Sequence, residues 1–178
     1  MLDSQLITAS LRPLIGLQLA TSYRTGSMRI FPFGPLRLAT PSRFSTGDSG
    51  KLRLIGDLAL HVQCPWRIET EHGIVTGFTD LWRPIKEGEG FSYEEWDWDT
   101  DGNIQDAQME KYFCDHKDVR VMSVALQTNG SFTLHLSSNT RLLVFAAGAT
   151  IEDWRLFKPN TGDSHFVVSG GRVEVLNS

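Results

Sequence analysis

Residues 57–70, DLALHVQCPWRIET, carry the pattern that decides the fold. Hydrophobic side chains occupy alternate positions over a dozen residues, which is the period of a β-strand with one buried face. One face carries Leu58, Leu60, Val62, Cys64, Trp66 and Ile68, and the other carries Ala59, His61, Gln63 and Arg67. Because Pro65 has no backbone N–H to donate, we expect the strand to lie at a sheet edge or to be bulged there.

The pattern extends outward from this strand as short strands and turns. Residues 71–73 form a turn, and residues 74–81 return as the second arm of a hairpin. Asn129-Gly130 is a strong hairpin signal within a later run of strands. That run is predicted at 119–127, 131–137, 141–147, 164–168 and 172–176. Strands of this length and spacing favour an antiparallel sandwich or a half-open barrel.

Two segments have helical periodicity instead. Residues 3–12 are predicted to form a short helix that Pro13 stops. Residues 103–117 are predicted to form a second helix with an apolar stripe. The expected fold class is therefore α+β, mainly antiparallel β, with one or two helices packed on the sheets. We expect a single domain over 1–178 and a flexible loop over 39–51, where Pro, Ser, Thr, Gly and Asp concentrate.

Composition narrows the class of protein. The 178 residues are 40% hydrophobic and carry a net charge of −4, which indicates one folded domain rather than a disordered chain. The acidic balance and the absence of a basic run argue against nucleic acid as a partner. No signal peptide and no apolar run of membrane-spanning length occur in the sequence. We therefore expect a cytoplasmic protein with no membrane partner and with both cysteines reduced.

Four stretches together resemble a group of small bacterial proteins of unknown function. These are ALHVQCPWRI at 59–68, GIVTGFTDL at 73–81, EDWRLF at 152–157 and PLIG at 13–16. In that group an LHVQCPWRI-like strand precedes a GxxxTGxxDL-like hairpin arm and a late ExWRLF sequence. The resemblance covers about residues 10–176. It implies a bacterial, cytosolic, single-domain protein and implies no activity.

The acidic segment at 96–108, WDWDTDGNIQDAQ, partly matches a calcium-binding loop. The candidate ligands are Asp97, Asp99, Asp101, Asn103 and Gln108, and Gly102 takes the position of the sharp turn. Gln108 stands where a bidentate glutamate is usual, and glycines replace the preceding helix. The alternative interpretation is the N-terminus of a helix, capped by Asp99 or Asp101. No other cofactor is expected.

The polar face of the 57–70 strand provides a second candidate site. His61 could act as an acid or base and Arg67 could hold a carboxylate, with Asp80 contributed by the returning arm. The alternative is an ordinary solvated face, which antiparallel sheets often have. Cys64 lies on the apolar face, where a small buried side chain fits better than a nucleophile.

Familiar catalytic signatures are incomplete or missing. Cys64 and Cys114 have no metal-ligand spacing with the histidines, residues 45–51 (STGDSGK) lack the spacing of a phosphate-binding loop, and no G-x-S-x-G occurs. The leading hypothesis is therefore a non-enzymatic binding or accessory protein for an unknown protein or small molecule. The alternatives are a small-molecule enzyme using His61, Arg67 and Asp80, and a calcium-binding protein. Trp96 and Trp98 either pack the helix or mark a protein-contact surface, and the oligomeric state stays open.

Overall fold

The computed structural model describes residues 4–39, 53–127 and 129–176. These residues form helices α1 (Ser4–Leu11) and α2 (Ile104–Asp115), with 3-10 helices at Arg12–Leu14 and Phe78–Trp82. The strands are β1 (Tyr23–Thr25), β2 (Met28–Phe33), β3 (Arg37–Ala39), β4 (Arg53–Ile55), β5 (Leu58–Val62), β6 (Trp66–Thr70), β7 (Gly73–Gly77), β8 (Val121–Leu126), β9 (Phe132–Leu136), β10 (Arg141–Val144), β11 (Glu152–Phe157), β12 (His165–Ser169) and β13 (Arg172–Leu176).

The strands build two main antiparallel sheets and one small one. The first has the order β1-β2-β5-β11-β12-β13, the second has the order β7-β6-β10-β9-β8, and β3 and β4 form a separate pair. One hydrophobic core collects side chains from both main sheets. The part of the chain that the structure describes has no closed barrel, so the predicted α+β class is confirmed in its sandwich-like form.

The predicted strand at 57–70 is two strands that belong to different sheets. β5 ends at Val62 and β6 begins at Trp66, and between them the backbone N–H groups of Gln63 and Cys64 both donate to the carbonyl of Asp153. Pro65 cannot continue a ladder of hydrogen bonds, so the chain turns there and crosses from one sheet to the other. The prediction of a continuous strand was wrong at this corner.

The assignment of faces along the same segment is correct. Leu60, Val62, Cys64, Trp66 and Ile68 are all buried in the shared core. Every second residue remains buried across the corner. The inward-facing side chains of β5 are therefore followed by inward-facing side chains of β6. The two sheets therefore meet over a core that this single segment lines on both sides.

Tryptophans join the two sheets through ring contacts. Trp66 of one sheet packs edge to face against Phe31 of the other at 5.4 Å between ring centroids, and Phe132 packs in the same way against Trp154 at 5.0 Å. Both tryptophans are buried, as their apolar sequence context predicts. Truncating a side chain of this size in a packed core costs about 3–5 kcal/mol. β11, which carries Trp154, is absent from the predicted run of strands and is inserted between β5 and β12.

The two helices lie where the sequence places them, and α2 bounds the candidate site described below. The observed α1 falls within the predicted segment 3–12 and α2 within 103–117. α2 packs against β7 and the 3-10 helix at Phe78–Trp82. The loop predicted at 39–51 lies outside the described residues except for Ala39, which ends β3. No helix in the described ranges combines the length and apolarity needed to cross a membrane.

Candidate functional site

A groove of about 570 Å³ lies between the β1 edge of the six-stranded sheet and α2. We call it the α2 groove. The sheet side is lined by Thr21, Ser22, Tyr23, Arg24 and Arg29, and Asp99 lies at its border. The helix side is lined by Asp106, Met109, Glu110, Phe113 and Cys114. The volume is within the range of small-molecule sites.

Helical spacing explains why these α2 residues share one side of the groove. Met109 and Glu110 lie three and four positions after Asp106, and Phe113 lies three after Glu110, so these side chains share one stripe of the helix. The start of the helix is fixed by Asn103, whose side chain accepts a hydrogen bond from the backbone N–H of Asp106 at 2.8 Å. This cap sets where the Asp106 carboxylate points.

Two arginines from neighbouring strands converge on that carboxylate. Arg24 and Arg29 are direct partners in the β1–β2 ladder, a placement that brings two like charges together. Arg24 Nε donates to Asp106 Oδ2 at 2.7 Å and Arg29 Nη1 donates to Asp106 Oδ1 at 2.5 Å. Asp106 therefore links both cations to the start of α2, and Asp99, which pairs with Arg24, supplies the second negative charge.

The groove charges are held in their ionised forms. Partial burial alone would raise the pKa of Asp106, but hydrogen bonds from Arg24, Arg29 and Asn103 outweigh it and hold that pKa below its usual value. Burial lowers the pKa of Arg29, and Asp106 opposes this shift. Burial would also lower the pKa of Arg24, but its hydrogen bonds with Asp106 and Asp99 raise it overall.

Two of the three nitrogens of the Arg29 guanidinium are hydrogen-bonded within the protein. Its side chain is only 2% exposed; Nε donates to Ser22 Oγ at 3.1 Å and Nη1 to Asp106. Within the described ranges Nη2 forms no hydrogen bond, although Arg29 lines the groove. The guanidinium also lies 5.9 Å from the centroid of the Trp66 ring. A guanidinium held this rigidly, in a groove that Met109 and Phe113 also line, can orient a ligand.

The predicted calcium ligands have other partners in this structure. The Asp97 carboxylate accepts from the backbone N–H of Asp99 at 2.9 Å, and Asp101 accepts from the backbone N–H of Asp97 at 2.8 Å. Asp99 forms an ion pair with Arg24, and Gln108 lies within α2. No group of three or more metal-ligating side chains occurs among the residues described. The cap of the helix is Asn103, so the expectation that Asp99 or Asp101 caps it was wrong.

The three residues of the predicted enzyme site lie apart. His61 is on β5 in the six-stranded sheet, whereas Arg67 is on β6 in the other sheet and donates to Glu69 at 2.7 Å. Asp80 caps the 3-10 helix by accepting from the backbone N–H of Gly77 and from the Thr76 hydroxyl, each at 2.9 Å. No described hydrogen bond or ion pair joins any two of the three.

His61 belongs to a different cluster, on the outer face of the six-stranded sheet. Phe157 lies between two histidines, edge to face with His61 at 4.7 Å and stacked on His165 at 4.1 Å between ring centroids. Burial, with smaller contributions from Arg155 and His165, lowers the pKa of His61 to about 3. A histidine that stays neutral at physiological pH and packs against an aromatic ring acts here as part of the sheet face.

Cys64 lies inside the core, as predicted. It is 6% exposed, and burial raises the pKa of its thiol to about 12. Such a thiol carries almost no thiolate at neutral pH and so is a poor nucleophile.

Fold and groove together define an antiparallel β-sandwich with a helix-flanked cleft at one sheet edge. Comparison of the chain with protein-family models, with curated proteins and with solved structures gives no match.

Sequence reasoning missed Arg24, Arg29 and Asp106 as a group. Residues 24 and 106 are 82 positions apart, and no local spacing joins them. One signal was available in β2, where Arg29 shares the alternating face of Phe31 and Phe33. A charged residue on an apolar strand face requires a buried partner.

Proposed function

We propose that this protein is a non-enzymatic binding protein and that its ligand occupies the α2 groove. The observation that carries the proposal is the position of Arg29, a buried cation that lines the groove together with the apolar side chains of Met109 and Phe113. Ligand sites commonly combine an apolar lining with a few fixed polar groups. The chemistry favours a small amphipathic molecule with an apolar body and a carboxylate or another acceptor group.

The electrostatics of the groove support binding rather than catalysis. Asp106 is committed to Arg24 and Arg29, and its lowered pKa keeps it ionised at neutral pH. A general acid or base works best with a pKa near the operating pH. The hypotheses of an enzyme around His61 and of calcium binding stay predictions, since the described contacts give neither of them a converged set of groups.

A ligand in this groove has a defined orientation. Its acceptor group meets the Arg29 guanidinium and the Ser22 hydroxyl, and its apolar part lies along α2 against Met109 and Phe113. Glu110 is exposed at the helix side of the groove and repels an anion weakly through solvent.

The test uses methionine methyl resonances in isotope-labelled protein, titrated with phenylbutyrate and with the amine of similar shape, phenylbutylamine. Of the chain's 4 methionines, Met109 lines the groove and Met122 is 60% exposed on β8, outside it. We expect the Met109 signal to move and saturate with phenylbutyrate while Met122 stays still. The amine should bind more weakly because Arg29 cannot accept a hydrogen bond.

Three variants make the test specific. Phe113→Ala should remove most of the Met109 response, whereas Ile74→Ala, a truncation of an apolar side chain 62% exposed on β7, should leave it intact. Glu110→Gln should tighten the binding of phenylbutyrate by about twofold and weaken the binding of the amine, because it removes one screened negative charge. A Met109 signal that ignores both ligands, or follows both equally in every variant, contradicts the proposal.

A further inference from the structure

A second groove, of about 510 Å³, lies beyond the start of α2. We call it the aromatic groove. Pro84, Ile85, Phe91 and Trp96 form its apolar lining, and Lys86, Glu95 and Asp101 are the charged residues around it. Ile85 is 52% exposed and the neighbouring Tyr93 is 51% exposed. The α2 groove does not share these residues.

The rings of the aromatic groove are held in place by one another. Phe91 and Tyr93 pack edge to face at 4.9 Å between ring centroids, and Tyr93 meets Trp96 in the same way at 6.2 Å. Trp96 Nε1 donates to the carbonyl of Gly102 at 3.2 Å, which anchors the last ring to the turn before α2. A ready-made aromatic surface of this kind loses little conformational entropy when a partner binds.

Negative charge is concentrated in the segment that forms this groove. Residues 86–101 contain seven of the chain's 21 acidic residues and one of its 17 lysines and arginines. The segment therefore carries a net charge of −6, whereas the rest of the chain sums to +2. Within it, Glu94 and Glu95 are exposed, and the described contacts pair neither carboxylate with a cation.

We propose that the aromatic groove docks a basic, extended segment of a partner protein. Lysine or arginine side chains of the partner would face Glu94 and Glu95, and their aliphatic stems and cationic groups would pack on Phe91 and Trp96. The charge complementarity selects the occupant: a field of carboxylates attracts a basic peptide and repels nucleic acid. The inference is independent of the ligand proposed for the α2 groove.

The test measures fluorescence anisotropy of a fluorescein-labelled peptide of alternating arginine and serine, against a matched peptide of glutamate and serine. The charge-reversal pair E94K/E95K should weaken the arginine peptide by about tenfold. E71K/E174K changes the net charge equally at two exposed glutamates, on the β6–β7 turn and on β13. That control should lower the affinity for the arginine peptide by less than about threefold. Thermal unfolding checks that all variants are folded.

Phe91→Ala distinguishes binding in the aromatic groove from binding to a diffuse acidic surface. It should weaken the arginine peptide without changing the slope of affinity against salt, whereas E94K/E95K should flatten that slope. The proposal is overturned if both charge-reversal pairs have the same effect, if the glutamate peptide binds equally well, or if Phe91→Ala leaves the affinity unchanged.

Discussion

Replacing Asp106 with asparagine tests the connection between the sheet edge and α2. The substitution keeps the size of the side chain and the backbone cap from Asn103, but removes the negative charge between Arg24 and Arg29. Arg29, with 2% of its side chain exposed, is then left as a buried cation opposite another cation in the β1–β2 ladder.

The cost follows from that burial. Removing one partner of a buried ion pair costs about 3–5 kcal/mol, because the remaining charge loses its compensation. The Asp106 side chain is 37% exposed, so solvent screens part of the interaction, and we expect about 2–3 kcal/mol. With a urea dependence of about 2 kcal/mol per molar, the unfolding midpoint should fall by roughly 1–1.5 M.

The assay is urea unfolding followed by tryptophan fluorescence. Asp115→Asn is the matched control, because it removes an exposed carboxylate paired with Lys111 from the other end of α2, and it should leave the midpoint unchanged. The double substitution R29M/D106L should recover much of the loss, since hydrophobic replacements of an ion pair are often nearly neutral. A fall of less than about 0.3 M in Asp106→Asn, or no difference from the control, would refute the reasoning.

Three further measurements address other parts of the chain. His61 should stay neutral from pH 5 to 8, so its ring proton resonances should not titrate there; a midpoint within that range would contradict its pKa of about 3. Between that value and the ordinary 6.5 the unfolded chain binds a proton that the folded chain does not, so this histidine should make stability rise with pH. Cys114 is exposed and should react at once with a disulfide reagent, whereas Cys64 should react only as the protein unfolds; two fast thiols would contradict its burial. Excess calcium should leave the thermal midpoint within about 1 °C of that with chelator, because Arg24 already neutralises Asp99; a rise of several degrees that Asp99→Ala abolishes would restore the calcium hypothesis.

The sequence predicts which side chains of a strand are buried better than it predicts which strands share a sheet. The alternation at 57–70 correctly identifies which side chains enter the core, because burial of alternate residues is a local property of extended chain. The corner between β5 and β6 is instead stabilised by hydrogen bonds to the carbonyl of Asp153, about ninety residues further along the chain. Pro65 indicates where the strand breaks, but it does not indicate which sheet the chain enters next.

The same limit applies to the grooves. The α2 groove depends on contacts of Asp106 with Arg24 and Arg29, which lie 82 and 77 positions earlier in the chain, and no spacing rule joins residues at such distances. The aromatic groove lies almost wholly within residues 84–101. The sequence therefore indicates its acidic and aromatic character directly, although not that Trp96 is anchored by Gly102. Local composition predicts a surface, and only the fold shows which side chains complete a site.

The position of β11 has a consequence for the order of events during synthesis. β11 pairs with β5 on one side and β12 on the other, so residues 59–62 obtain their second neighbour only from residues 154–157. Until the ribosome has released those residues, β5 has one open edge and Val62 lacks the Trp154 opposite it. A chain that folds as it is synthesised therefore exposes one edge of β5, paired with β2 only on its other side, until β11 has been made. An exposed strand edge of this kind favours aggregation during folding.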